Sequence, residues 1–350
     1  MRVGGFPLVI LPESIVNRSN RHRVGFSVVE LLVCIAVLAV LVALLLPAVQ
    51  SARESARRVE CSNRFRQIGI ALHGFEERQK SFPIDGGPWL FNTASQTRFE
   101  GGYSVMAQLM GDLGQGPVAS LVNVSVRNHI PWDEEPDIAM LRCPSDPADS
   151  VGLNYRVCYG LDSGQQTTQS ADRLEGMFRN GDSRLIREMT DGTSHTVAVS
   201  ERIRSDIDMT SYTPAEDIVG SGAILLYGLN QITADETLDI CRSVTGATTG
   251  YSGQVGWSWT HSADFQTKYN HIAPPNYIVP DCSLDPLSSS IPGRVSISSN
   301  GGLVSARSYH RGGVNCLLAD GSARFISSSI DLGLWRALAT IAGSEVIGEF

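Results

Sequence analysis

Imidazole, carboxylate and thiol groups are few enough in this 350-residue chain, with seven histidines and seven cysteines, to be weighed one by one. His310 precedes Gly312 and Gly313, and nine residues separate it from an Asp320-Gly321 pair. An imidazole there could ligate a metal or serve as a general base. A histidine beside a Gly-Gly and a D-G turn is more commonly a hydrogen-bonded structural residue, and that is the expectation. Asp191 with Thr193 and Ser194, and Asp320 with Ser322, have the spacing of turns whose side chains bond their own backbone. Asp146, Asp149, Asp182 and Asp191 offer the hard oxygens calcium takes, but no EF-hand spacing orders them, so calcium stays an alternative. Trp257 and Trp259 stand at i and i+2 and would share one face of a strand. They either cap a core, the expectation, or form a sugar-stacking platform.

The cysteines contain no C-x-x-C pair, which removes the usual zinc and thioredoxin signatures. Cys34 sits in an apolar run and reads as a packing residue. Cys143 and Cys158, fifteen apart, form one candidate disulfide; Cys241 and Cys282, both in turn-like surroundings, form another. There is no Walker A loop, no G-x-S-x-G and no H-E-x-x-H, nor a recognisable nucleophile and base, so the chain reads as no enzyme. The formal charge of −8 includes a leader in which Arg2, Arg18, Arg21 and Arg23 face Glu13 alone. Removing that leader's net +3 leaves −11, which argues against phosphate neutralisation and hence against nucleic acid.

The elements that would position these groups begin with an apolar run. From Phe26 to Val49, 24 residues carry one charge, Glu30. A helix of that length, about 36 Å, crosses a hydrocarbon core of about 30 Å. A cleaved signal wants a shorter apolar region and a small-residue site; a plain anchor leaves Glu30 unexplained, because a carboxylate there costs about 2.5–3.5 kcal/mol on insertion scales. After Pro47 the apolar residues Ala52, Ala56 and Val59, then Phe65, Ile68, Leu72 and Phe75, step by three or four. One helix over 26–80 is predicted, ending before the breakers of "SFPIDGGP". Beyond it lie short β-type runs, of which "GVNCLLADGSARFISSSI" is the clearest, with Asp320-Gly321 placed as a type I′ hairpin requires. "SSIDLGLWRALATIAGSEVI" reads as a short terminal helix. The fold class is α+β: a long N-terminal helix packed against a large β-rich head with an antiparallel sheet.

"GFSVVELL" resembles the processing site of type IV pilins and type II secretion pseudopilins. The resemblance implies that a membrane prepilin peptidase/methylase cuts between Gly25 and Phe26 and methylates the new amine. It further implies that Glu30 pairs with the N-terminal amine of a neighbouring subunit, and that Pro47 matches the proline of pilin helices. "LLPAVQSARESARRVECSNRFRQIGIALHGFEERQKSFP", "LRCPSDP", "REMTDGTSHTVAVSER", "FQTKYNHIAPPN" and "YHRGGVNCLLADGSARFISSSIDLGLWRALAT" are similar to DUF1559 proteins. These abound in Planctomycetes and end in an H-x9-DG module, here His310 with Asp320-Gly321. That family usually has Asn where His195 stands.

The chain is thus expected to comprise a leader over 1–25, a transmembrane and amphipathic helix over 26–80 and a head over 81–350 that includes the module at 305–342. The function implied is a pilin-like or pseudopilin-like subunit of a surface or secretion-type filament, held by one span in the cytoplasmic membrane with its head on the periplasmic or extracellular side. Its partners are then the peptidase, membrane lipid and related pilin subunits. The alternative is an anchored solute- or glycan-binding protein that never polymerises.

Overall fold

In helix α1, Val28–Gln79, sequence and structure agree most closely. The computed structural model describes residues 27–86, 102–124, 128, 130–161, 175–179, 181–208, 210–221, 232–244, 251–263, 265–284, 301–344 and 348. They fall in two compact units, Met1–Ala52 and Arg53–Phe350.

In the first unit α1 is closed at its N-terminus by a local exchange. Ser27 N–H donates to Glu30 Oε2 at 2.9 Å, and Ser27 Oγ accepts from Val29 N–H at 3.3 Å, which is the logic of a capping box. Pro47 lies inside the helix without ending it. The apolar side chains from Val28 to Val49 are exposed, and so is Cys34, so the packing expected of it is not seen among the described residues. The helix is long and apolar enough to cross a membrane.

In the second unit α1 buries Cys61, Phe65, Ile68, Ala71 and Leu72. The buried stripe starts at Cys61, not at Ala52: Ala52, Ala56 and Val59 face solvent. Phe65 meets Tyr155 edge to face with centroids 4.9 Å apart, and Gly69 lets the helix backbone approach the turn at Gly321. The helix ends where Lys80 adopts φ 59° while its N–H still reaches Glu76 O at 2.7 Å, a left-handed C-terminal cap.

The strands are β1 (Tyr155–Cys158), β2 (Val197–Glu201), β3 (Ile218–Gly220), β4 (Tyr251–Ser252), β5 (Lys268–Tyr269), β6 (Asp281–Ser283), β7 (Gly302–Leu303), β8 (Gly313–Leu318) and β9 (Ala323–Ser327). One sheet runs β5-β1-β2-β8-β9 and the other β4-β3-β6-β7. Most neighbours are antiparallel, but β1 with β5 and β3 with β6 are parallel. A buried ionic group joins the sheets: Asp281 accepts from Arg202 Nε at 2.9 Å and from Arg307 Nη2 at 3.0 Å.

The β8–β9 hairpin is present, with a different turn from the one expected. Only Gly321 has positive φ, at 85°, whereas type I′ needs two such residues. Gly321 N–H bonds Leu318 O at 2.9 Å and Leu318 N–H bonds Ser322 O at 2.8 Å, the pattern of a three-residue loop with a left-handed glycine. The physical reason is Asp320, whose Oδ1 accepts Ser322 N–H at 2.8 Å and so keeps its own backbone in an ordinary turn conformation. The terminal helix is short, Leu332–Ala337, started by Asp331 Oδ1 accepting Leu334 N–H at 2.9 Å.

Candidate functional site

His310 sits in the turn entering β8. Ser308 fixes that turn, its Oγ donating to Gly313 O at 2.7 Å and accepting from His310 N–H at 3.2 Å. The imidazole is buried, with 1% of its side chain exposed. Its Nδ1 lies 2.8 Å from Glu54 Oε1 on α1, and its Nε2 lies 3.2 Å from Glu201 Oε1 at the end of β2 and 3.5 Å from Cys143 Sγ. Glu201 is held in turn by Asn315, whose N–H donates to Oε2 at 2.8 Å and whose Nδ2 donates to Oε1 at 2.9 Å. Glu54 also accepts from Ser145 Oγ at 3.0 Å and from Arg57. Cys143 is disulfide-bonded to Cys61 of α1. The cluster therefore joins α1 to the head by one disulfide and one ion pair, Glu54–His310, which the His310–Glu201 pair continues to the end of β2.

Burial is the largest single influence on His310 and pulls its pKa down, yet hydrogen bonds and charge from Glu201 and Glu54 outweigh it and the net shift is upward. Burial likewise pushes Glu54 up, but bonds from His310, Arg57 and Ser145 bring it below the usual carboxylate range. With a carboxylate beside each ring nitrogen, both contacts become hydrogen bonds when the imidazole carries two protons, and that form has no lone pair to act as a general base.

A family model described as a protein of unknown function, DUF1559, matches residues 50–333. The chain belongs to the DUF1559 family. Every member of the His310 cluster lies inside the DUF1559 match, while Glu30 and Pro47 precede it. Comparison with curated proteins gave no match, and neither did comparison with solved structures.

The other residues singled out in this DUF1559 chain scatter. Gly25 and Phe26 lie outside the described residues. Asp320 and Gly321 sit at the opposite end of β8 from His310, so the H-x9-DG elements do not form one site. The loop at 191–196 does meet the hairpin, through Asp320 N–H to Thr193 O at 3.0 Å and Ala319 N–H to Thr196 O at 2.8 Å. Asp191 binds the C-terminal segment, accepting from Gly343 N–H at 2.7 Å and Ser344 N–H at 2.9 Å. Asp146 accepts from Arg204 N–H and Ala148 N–H, and Asp182 pairs with Arg179. Asp146, Asp182 and Asp191 are thus engaged in three different loops, and Asp149, in the same loop as Asp146, is exposed, so the four carboxylates do not converge on one point.

Trp257 and Trp259 are not on a strand. Trp259 is buried in the core with Nε1 donating to Pro136 O at 2.9 Å, so the two indoles form no sugar platform. Glu135 bends this segment by accepting from Trp259 N–H and Thr260 N–H at 2.9 and 3.3 Å. Ser258 and Glu135 both contact His261 at Nδ1, whereas a nucleophile relay needs opposite nitrogens.

The disulfide expectation is half corrected. Cys241 and Cys282 are bonded, but Cys143 pairs with Cys61 rather than Cys158. Cys158 points into the hydrophobic core, where burial pushes its thiol up to about 12. Glu54, Cys61 and Glu201 were missed as site residues. A signal existed for the first two: Glu54 lies seven residues before Cys61, and with Phe65, Ile68 and Leu72 they share one helix face. Glu201 gave none, since a long-range pairing of strands brings it to His310.

Proposed function

We propose that this DUF1559 protein is a non-enzymatic, pilin-like or pseudopilin-like subunit, tethered by one span in the cytoplasmic membrane before it joins a surface or secretion-type filament. The observation that carries the reading is the uncovered apolar length of α1 from Val28 to Val49 with a single carboxylate in it. Within the single subunit Glu30 has one local hydrogen bond, from Ser27 N–H. A neutral N–H does not cancel a charge in lipid; a cation does. The trimmed amine of an adjacent copy, produced by a peptidase cutting between Gly25 and Phe26, is such a cation. Two disulfides, Cys61–Cys143 and Cys241–Cys282, favour a periplasmic or extracellular head, because such bonds persist in oxidising compartments.

The test is the intact mass of the membrane-extracted protein together with the distribution of a Glu30→Ala variant. A chain beginning at methylated Phe26, whose variant stays in the membrane but is missing from sheared filaments, supports the proposal. A chain that still begins upstream of Gly25 in a strain with active peptidase overturns it. The alternative, an anchored solute- or glycan-binding head that never polymerises, draws no support from Trp257 and Trp259, because Trp259 is buried.

A further inference from the structure

Among the described residues, Cys61, Cys143, Glu201 and His310 place four ligand atoms within 4.8 Å of one another. We infer that they form a soft divalent-metal site of the zinc class with two exclusive states: closed as the Cys61–Cys143 disulfide, or open as two thiolates, an imidazole and a carboxylate around one ion. The inference stands on the geometry of the cluster and is independent of filament assembly.

Three observations carry it. First, the spacing fits. Metal–ligand bonds of about 2.0–2.3 Å give a tetrahedron with edges of roughly 3.3–3.8 Å. His310 Nε2 already lies 3.5 Å from Cys143 Sγ and 3.2 Å from Glu201 Oε1. Second, the outer partners have the arrangement metal sites use. The nitrogen of His310 that faces away from the cluster is held by Glu54 at 2.8 Å, a carboxylate–histidine pair aimed at the ion, and Glu201 is oriented by Asn315. Third, a void of about 10 Å³ lined by Cys143 and Glu201 adjoins the cluster, roughly the room one water needs.

The step between the states balances. An external dithiol supplies two electrons and two protons, the sulfur–sulfur bond breaks, Cys61 and Cys143 become thiols, and the donor leaves as its own disulfide. Binding of the ion then releases the two thiol protons and the Nε2 proton of His310. In both states α1 stays fastened to the head, first by sulfur to sulfur and then through the ion.

The experiment uses the full chain in detergent micelles, carrying Cys241→Ser and Cys282→Ser so that the second disulfide contributes no thiols. After reduction by a phosphine and anaerobic addition of Co2+, one cobalt per chain with a thiolate charge-transfer band is expected. The oxidised chain should show neither. His310→Ala and Glu201→Ala should lose most of the binding, and Glu54→Gln should weaken it on the order of 10–100-fold. Near-UV dichroism reports folding throughout. Three outcomes overturn the inference: a folded, reduced chain without the band; a band of unchanged affinity in both ligand variants; or a chain that unfolds on reduction and is not restored by cobalt.

Discussion

Glu54 and His310 are 256 positions apart in the chain and 2.8 Å apart in the structure. The contact is made only when α1 lies against the turn that enters β8, so it reports the seating of the helix.

Removal of the imidazole should therefore be costly. His310→Ala removes the ion-pair partner of the buried Glu201, a change worth about 3–5 kcal/mol. Glu54→Gln keeps a hydrogen-bonding group on a partly exposed side chain and should cost about 1 kcal/mol. Urea unfolding followed by near-UV dichroism measures both. Combining His310→Ala with Glu201→Gln should cost less than the two changes summed, because each removes the same interaction.

Stability should decline from acid to neutral pH because of Asp217. Burial pushes this carboxyl up to about 7; Thr213 N–H opposes the shift, Asp206 and Glu216 add to it, and Arg202 opposes it. Its Oδ1 has no hydrogen-bond partner. The unfolded chain releases this proton near pH 4, so between about pH 4 and 7 the folded state binds more protons and stability falls as pH rises. Asp217→Asn keeps an acceptor for Thr213 N–H. Its melting temperature should exceed that of the unmodified chain at pH 8 and converge with it at pH 4; parallel profiles would refute the assignment.

The two disulfides should differ in weight. Cys61–Cys143 closes a separation of 82 residues and Cys241–Cys282 one of 41. Typical disulfides contribute about 2–4 kcal/mol, and doubling the loop adds about 0.6 kcal/mol. Paired Cys→Ser replacements, compared by chemical denaturation, should place the larger loss at Cys61 and Cys143.

Gly69 sets competing effects against each other. Alanine there gains about 1 kcal/mol of helix propensity, but its Cβ would lie 3.0 Å from Leu317 Cδ1 and 3.1 Å from Gly321 Cα. Overpacking costs about 1–3 kcal/mol, so Gly69→Ala should be neutral to destabilising and Gly69→Val clearly destabilising by thermal unfolding.

What was legible in the sequence was what neighbouring residues decide. The apolar run, Lys80 as the helix end, the β8–β9 hairpin and the buried Phe65, Ile68 and Leu72 all follow from short-range pattern. The turn type at Asp320-Gly321 was misread because the Asp320 side chain, not the dipeptide alone, selects the backbone. The Cys61–Cys143 bond and the place of Glu201 beside His310 depend on pairings across the chain, which spacing does not encode. Trp257 and Trp259 were read on a strand that the Glu135 carboxylate bends away.

Cys61 is the first fully buried residue along α1, ahead of Phe65, Ile68 and Leu72. Tension travelling down the helix toward its C-terminus therefore reaches a sulfur bridge before it reaches any of those apolar contacts. The seam cannot be peeled open turn by turn from that side, and the load passes through covalent bonds into the segment around residue 143.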